Sequence, residues 1–167
     1  MAQTVAVIDY GMGNLRSVIT ALQHVANQQT KVVLTDDPDL AKRADRIVFP
    51  GQGAARDCMQ HLNSSGLGEI MLEVARNKPF LGICMGLQVL LSHSEENGGT
   101  DLLNMFPGKV KRFPESSGTE RLKIPQMGWN TIRQVQQHPL FHGVADNSYF
   151  YFVHSYYVAP QDPALTA

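Results

Sequence analysis

The sequence predicts a single α/β domain with a mainly parallel sheet and helices on both of its faces. Up to Glu96, short apolar and β-rich runs alternate with stretches of helical periodicity, which is typical of such sheets. The first run, Thr4–Asp9, is apolar until its last residue, as expected for a strand that is buried on both faces. The 167 residues suffice for one domain with a core, but they are too few for two. We therefore treat residues 1–167 as one domain.

The elements of this half follow from local patterns. The predicted strands are Thr4–Asp9, Lys31–Leu34, Arg46–Phe49 and Pro79–Ile83. The predicted helices are one capped by Asn14, a short one opened by Asp37-Pro38, and those at Ala54–Leu62, Leu67–Asn77 and Met85–His93. The first helix carries an apolar stripe at helical spacing, formed by Leu15, Val18, Ile19, Leu22 and Val25.

After Glu96 the pattern changes, and helical periodicity is weak. Three strand-like segments follow, at Lys109–Phe113, Thr131–Val135 and Ser148–Val158. They predict an antiparallel extension or edge of the same sheet. Ser116-Ser117-Gly118 is expected to form an exposed turn, within a mobile loop from Glu115 to Lys123.

Composition excludes several kinds of partner. The net charge of −1 gives no reason to expect nucleic acid or a membrane surface as a partner. Two cysteines make no disulfide framework, which indicates a reducing, cytoplasmic compartment. The first residues lack the basic segment of a signal peptide, and no uncharged apolar run approaches membrane-spanning length. No carboxylate–histidine cluster is evident, so we expect neither a metal site nor a cofactor.

The segment Gly82-Ile83-Cys84-Met85-Gly86 joins a predicted strand to a predicted helix. It has the nucleophile-elbow pattern G-x-S-x-G with cysteine in place of serine. The glycines are expected because a Cβ at either position would collide with the neighbouring helix or strand. The positive end of the helix dipole would favour a thiolate at Cys84. The alternative is a buried cysteine that acts only as a small hydrophobic residue.

Other unusual segments also lie at strand ends, where open α/β sheets bind their ligands. Tyr10–Asn14 follows the first strand, Pro50-Gly51-Gln52-Gly53 follows the third, and His154-Ser155-Tyr156 lies in the last. The two glycines after Pro50 can aim a peptide N–H at the oxyanion that forms when a thiolate attacks a carbonyl. The N–H of Met85 is the expected second donor.

Together these motifs resemble the class I glutamine amidotransferases. The cysteine elbow is followed by Gln88 and preceded by Pro-Gly-x-Gly, as in that family. The segments Asp9–Asn14, Pro125–Asn130 and Phe152–Tyr156 narrow the resemblance to the glutaminase subunits of imidazole glycerol phosphate synthase, and the match covers essentially the whole chain. The resemblance implies a flavodoxin-like fold. It also implies hydrolysis of glutamine to glutamate and ammonia, with the ammonia passed to a (β/α)₈-barrel cyclase subunit in histidine biosynthesis.

The resemblance also implies residue roles. Cys84 would form a glutamyl thioester, and Gly51, Gln52 and Gly53 would form the oxyanion strand. The residues expected to hold the glutamine are Gln88, Glu96, Ser155 and Tyr156. The residues expected to meet the cyclase in a heterodimer are Tyr10, Met12, Asn14, Met127, Trp129 and Asn130. From the residues alone, a core position for Trp129 is equally compatible with its setting.

One family motif is missing from the sequence. The catalytic triad needs a His-x-Glu pair on a late strand, usually as Phe-His-Pro-Glu-Lys, and these 167 residues contain no such motif. This predicts a domain that lacks its last C-terminal segment, either truncated or naturally short and catalytically impaired. His154 is the possible substitute, but its motif matches a different family segment, which favours a structural or substrate-side role.

Three other functions are each compatible with part of the sequence. A regulatory binding subunit of the same fold would need no His-x-Glu pair. A nucleotide-binding Rossmann enzyme would fit Gly11-Met12-Gly13 and Asp36, but Arg16 stands where the third glycine belongs. A cysteine hydrolase of the amidase or peptidase kind would fit the elbow, but not the resemblance around Gln88.

Overall fold

A four-stranded parallel sheet forms the first half of the molecule. The structure is a computed structural model that describes residues 2–118 and 120–167. The strands are β1 (Gln3–Ile8), β2 (Thr30–Thr35), β3 (Arg46–Gly51) and β4 (Phe80–Cys84), arranged in the order β2-β1-β3-β4. The helices between them are α1 (Leu15–Val25), α2 (Pro38–Arg43), α3 (Ala55–Ser65) and α4 (Leu67–Asn77). The predicted order of strands and helices is therefore confirmed.

Two of the predicted helix caps are present. The Asn14 side chain accepts a hydrogen bond from the Ser17 N–H at 3.4 Å, and Asp37 accepts one from the Asp39 N–H at 2.8 Å. The stripe on α1 is confirmed except at its end. Val25 is 78% exposed because the helix stops at that residue and the chain turns away.

The sheet is covered by helices on both faces, because the side chains of its strands alternate. Val5 and Val7 of β1 face α1, with Leu15, Val18, Ile19 and Leu22 packed against their cluster. Ala6 and Ile8 face the opposite side, where they join the larger core that includes α2, α3 and α4. Both faces of β1 are apolar for this reason.

The helix after Cys84 is shorter than predicted. The helix α5 spans only Met85–Gln88, whereas the sequence pattern predicted a helix that continues to His93. The segment that follows is held by tertiary hydrogen bonds instead. The N–H groups of Leu103, Leu102 and Asn104 donate at 2.9–3.0 Å to the carbonyls of Val89, Ser92 and Leu91. Leu90 and Leu91 are buried, but the segment that carries them is a turn and not a continuation of the helix, so their spacing did not indicate helical structure.

The second half contains short strands in separate sheets. They are β5 (His93–Ser94), β6 (Thr100–Asp101), β7 (Gly108–Arg112), β8 (Ser116–Ser117), β9 (Glu120–Arg121), β10 (Gln126–Thr131), β11 (Tyr149–His154) and β12 (Tyr156–Pro160). A mixed sheet has the order β12-β7-β5-β6, while β10 pairs with β11 and β8 pairs with β9, each pair antiparallel. The prediction that these strands extend the parallel sheet is therefore wrong.

Two strand predictions need correction. The predicted strand Thr131–Val135 is wrong: the observed strand β10 ends at Thr131, where the predicted one begins. Beyond it, the Gln134 N–H donates a hydrogen bond to the Asp146 side chain at 2.8 Å rather than to a neighbouring strand. The predicted strand Ser148–Val158 is divided at a bend at Ser155, so its halves enter different sheets. The predicted loop Glu115–Lys123 contains the β8–β9 pair, and its Thr119 lies outside the described residues. Among the helices described, none is long and apolar enough to cross a membrane.

Candidate active site

Cys84 lies at a strained turn between β4 and α5. Its backbone has φ 54° and ψ −112°, a conformation that residues other than glycine rarely adopt, and its side chain is exposed. Such strain costs about 1–3 kcal/mol and is concentrated at functional sites. The second cysteine, Cys58, is fully buried in α3. The structure therefore presents one thiol to solvent, at the tip of a nucleophile elbow.

The glycines around Cys84 are required by close backbone packing. A Cβ at Gly82 would lie 2.6 Å from the Gly86 carbonyl oxygen, inside the first turn of α5. A Cβ at Gly86 would overlap the carbonyl oxygen of Phe49 in β3. Both collisions were expected from the motif. The dipole effect was expected from a full helix, whereas α5 has four residues, so little of a macrodipole acts on the thiol.

The predicted oxyanion segment lies next to the elbow. Gly51 ends β3 and is the register partner of Cys84 on β4. Gln52 and Gly53 follow it in an exposed stretch, with Gly53 at φ 92°. Met85 is the first residue of α5, where a helix leaves its backbone N–H without a partner inside the helix. The structure therefore brings Cys84, Gly51 and Met85 together.

The loop that joins β1 to α1 packs against this oxyanion segment. A Cβ at Gly53 would lie 2.7 Å from the terminal methyl of Met12, and one at Gly13 would lie 3.8 Å from the Gly51 Cα. A Cβ at Gly51 would overlap the Tyr10 hydroxyl. The loop predicted to meet a partner subunit is therefore in direct contact with the segment predicted to hold the oxyanion.

Tyr10 differs from its predicted surface position. Its side chain is 5% exposed and belongs to the main core, with its ring centroid 5.0 Å from that of Phe49. Burial, and then the neighbouring thiol of Cys58, raises the pKa of Tyr10 well above its usual range. Burial also raises the pKa of Cys58 to about 11. Tyr10 therefore offers no surface to a partner, whereas Met12 is half-buried and Asn14 is exposed.

Glu96 has a contact that its sequence setting did not reveal. Its carboxylate accepts a hydrogen bond from the Ala55 N–H at 2.7 Å, at the start of α3. Ala54 precedes that helix and has no side chain able to cap it. The lack of a capping residue there is the signal that could have indicated a cap from elsewhere. Gln88, the other predicted ligand of this region, is half-buried in α5.

The remaining predicted ligands lie at the junction of β11 and β12. Ser155 is the bend residue, and its carbonyl accepts a hydrogen bond from the Phe113 N–H at 3.0 Å. Tyr156 is half-buried and packs against the main core. The Nδ1 atom of His154 lies 2.8 Å from the Tyr156 carbonyl oxygen, and its ring packs edge-on against Phe113. His154 belongs to β11, in a different sheet from Cys84.

An exposed apolar face covers one side of the β10–β11 pair. Register partners on this face are Met127 with Val153, Trp129 with Tyr151, and Thr131 with Tyr149. All of these except Thr131 are large hydrophobic residues that are 55–69% exposed, with Trp129 at 69%. The surface alternative for Trp129 is therefore confirmed over the core alternative. Asn130, on the opposite side of β10, is also exposed.

The other histidines have structural surroundings. His93 lies in β5 rather than in a helix, and its Nδ1 is 2.9 Å from Asp101. His138 caps the short 3₁₀ turn Pro139–Phe141 by accepting from the Leu140 N–H. Within residues 2–118 and 120–167, no group of three or more His, Cys, Asp or Glu side chains is placed to hold a metal ion.

Comparison with known proteins identifies the family. The family description "Glutamine amidotransferase class-I" matches residues 6–166. A relative in Chromobacterium violaceum, "Imidazole glycerol phosphate synthase subunit HisH", is 56% identical over 97% of this chain and 77% of its own length. The protein of the same description in Thiobacillus denitrificans is 54% identical over 100% of this chain and 74% of its own length. This chain thus spans about three-quarters of each relative.

Solved structures agree on the fold. A putative GMP synthase subunit from Thermoplasma acidophilum superposes with a TM-score of 0.61 at 17% identity, over 95% of this chain and 67% of its own. A glutamine amidotransferase from Thermotoga maritima superposes with a TM-score of 0.57 at 16% identity, over 95% of this chain and 63% of its own.

The elbow at Cys84 and the parallel sheet beneath it are those of a class I glutamine amidotransferase, and the chain belongs to that family. Within the family it groups with the HisH glutaminase subunits of imidazole glycerol phosphate synthase, an enzyme of histidine biosynthesis. The predicted family, fold and enzyme class are confirmed. The alternative of a Rossmann-type nucleotide-binding enzyme is not supported.

Proposed function

We propose that this protein hydrolyses glutamine through a thioester on Cys84 and delivers the ammonia to a cyclase subunit of (β/α)₈-barrel fold in the cytoplasm. The observation that carries the proposal is the strained, exposed position of Cys84 at a turn enclosed by Gly82, Gly86 and the end of β3. A thiol presented in this way can reach a carbonyl carbon, while the adjacent backbone supplies donors for the oxygen.

The chemistry proceeds in two stages. The Cys84 sulfur attacks the amide carbon of glutamine, and the resulting oxyanion is held by the N–H of Met85 and a peptide N–H of the segment Gly51–Gly53. Collapse of the tetrahedral species releases ammonia, which needs a proton from a general acid. Water then attacks the thioester, so that glutamate leaves and the thiol is restored.

Substrate and partner contacts are assigned to two separate parts of the surface. Gln88, Ser155 and Tyr156 are proposed to bind the amino-acid end of glutamine, together with the carboxylate of Glu96. The exposed β10–β11 face, with Met127 and Trp129, and the loop residues Met12 and Asn14 are proposed to contact the cyclase, with Asn130 beside them. The apolar character of that face supports this assignment, because large exposed aromatic patches are typical of binding surfaces.

An electrophilic glutamine analogue tests the assignment of the nucleophile. In the protein expressed from its complete gene and bound to its cyclase, the analogue should label Cys84 and spare the buried Cys58. The variant Cys84→Ser should lose labelling and lose glutamine hydrolysis by about 10³-fold or more. Cys58→Ala is the matched control and should retain both. Labelling at Cys58, or labelling that survives Cys84→Ser, would show that the nucleophile has been misassigned.

A further inference from the structure

The Tyr10 hydroxyl is a buried polar group that the mechanism above does not use. Within the described residues, its oxygen makes no hydrogen bond of normal geometry, although the side chain is 5% exposed and the thiol of Cys58 lies close to it. A buried hydroxyl without a partner destabilises the folded state, so such groups call for an explanation. Phenylalanine would fill the same space beside Phe49 without this cost.

The position of this hydroxyl suggests what it can bind. It lies directly beside the Cα of Gly51, so close that a Cβ on Gly51 would overlap it. Gly51 is the last residue of β3 and the register partner of Cys84. The Gly51–Gln52 peptide lies just beyond the ladder of the sheet, with glycine on its N-terminal side, and is therefore freer to rotate than the peptides within β3.

The two polar groups of one trans peptide point in opposite directions. If the Gly51 carbonyl turns inward to the Tyr10 hydroxyl, the Gln52 N–H turns away from the core, and both Gln52 and the register partner of Gly51, Cys84, are exposed. That is the direction in which an oxyanion donor is needed. The hydroxyl stays a donor at physiological pH, since burial raises the pKa of Tyr10.

We propose that Tyr10 is a positioning residue of the glutaminase site: its hydroxyl donates a hydrogen bond to the Gly51 carbonyl and so holds the Gln52 N–H in the orientation that binds the oxyanion. This inference rests on the thioester chemistry proposed above. The inference also connects the β1–α1 loop to catalysis. Tyr10 begins that loop, and Met12, two residues after Tyr10, packs against Gly53 of the oxyanion segment.

The variant Tyr10→Phe removes the hydroxyl and keeps the ring. In the complex expressed from the complete gene, we expect kcat for glutamine hydrolysis to fall about 3- to 10-fold, the equivalent of one hydrogen bond, with KM nearly unchanged. Alkylation of Cys84 by iodoacetamide forms no oxyanion, so its rate should stay at the wild-type value. The melting temperature without substrate should not fall, because the hydroxyl is unpaired in the structure and gains the Gly51 carbonyl as its partner only when the peptide has turned. Tyr157→Phe, a half-exposed tyrosine of β12, is the matched control and should leave all of these unchanged.

Three results would overturn the inference. An unchanged kcat would mean that the hydroxyl is only an unpaired core group. An equal fall in hydrolysis and alkylation would mean that Tyr10 affects the thiol rather than the oxyanion. A loss of activity with a lowered melting temperature would mean that the hydroxyl stabilises the fold. A wild-type complex without Cys84-dependent hydrolysis would instead overturn the proposed function itself, and this inference with it.

Discussion

The two halves of the molecule use apolar residues in opposite ways. Nearly all of the buried hydrophobic side chains of the described residues lie in the stretch up to Leu102, although Ile83 and Leu87 beside Cys84 are 38% and 41% exposed. Beyond Leu102, Val110 is the one hydrophobic residue fully buried among those described, while large side chains such as Trp129 and Tyr151 are exposed. The first half therefore holds the turn at Cys84 by its own packing. The second half leaves an apolar face that only another surface can cover.

The residues of the candidate site come from more than one sheet. The elbow is fixed by glycine contacts that leave no room for a Cβ, so Cys84 has a defined position without any ligand. The predicted ligands Ser155 and Tyr156 come from strands whose sheets are separate from the sheet of Cys84. The proposed nucleophile and these two proposed ligands therefore belong to different sheets.

The largest effect concerns whether residues 1–167 are sufficient for catalysis. A polypeptide of residues 1–167 contains no His-x-Glu pair, and its His154 lies in another sheet from Cys84. We expect it to hydrolyse glutamine about 10²- to 10⁴-fold more slowly than the complex of the Chromobacterium violaceum relative, since general acid help for ammonia is missing. Ammonia release at a comparable rate, with the cyclase bound to both, would contradict this and make His154 the candidate base.

The next effect tests the rigidity of the elbow. Gly86→Ala places a methyl group on the Phe49 carbonyl, and we expect the free energy of unfolding to fall by about 3 kcal/mol or more. Gly68→Ala is the matched control in α4, where the one close contact of the added methyl is the end of the Leu103 side chain at 3.3 Å, and Leu62 lies at an ordinary contact distance of 3.7 Å. That variant should be neutral or slightly stabilised, because alanine favours a helix. Denaturant unfolding measures both, and equal stabilities would refute the packing argument.

A smaller effect tests the exposed face. Trp129→Ala should weaken cyclase binding by about 2 kcal/mol, or roughly 30-fold in Kd, as expected for a central aromatic contact. The melting temperature should hardly change, because the side chain is 69% exposed. Leu140→Ala is the control, since Leu140 is similarly exposed but lies outside the β10–β11 face. A large fall in melting temperature with intact binding would assign Trp129 to the stability of the second half.

The smallest effect concerns Glu96. Its carboxylate is proposed to bind glutamine, and in the structure it accepts a hydrogen bond from the first turn of α3. Glu96→Ala removes the acceptor of the Ala55 N–H, and we expect a loss of about 1 kcal/mol in stability. Glu96→Gln keeps an oxygen acceptor but loses the negative charge. It should retain stability and still raise KM for glutamine if the carboxylate binds the substrate ammonium. An unchanged KM in both variants would leave Glu96 with the helix cap alone.

The sequence by itself determined the parallel half. The succession of strands and helices along the chain, the caps at Asn14 and Asp37, and the elbow at Cys84 with its glycines all depend on local patterns and short spacings, which the structure reproduces. These features are local because turn conformation and capping are set by residues only a few positions apart. The family motifs around Cys84 and Gln88 are equally local, and the comparisons confirm the family that they indicated.

Only the tertiary structure decided the rest. The leucines after Gln88 predict a helix, yet their backbone is held by the segment near Leu103, far along the chain. Tyr10 reads as a surface residue, but the core around Phe49 encloses it. The sequence is compatible with either a core or a surface position for Trp129, and the pairing of β10 with β11 places it on the exposed face. In each case the outcome depends on contacts between distant segments, which side-chain periodicity does not encode.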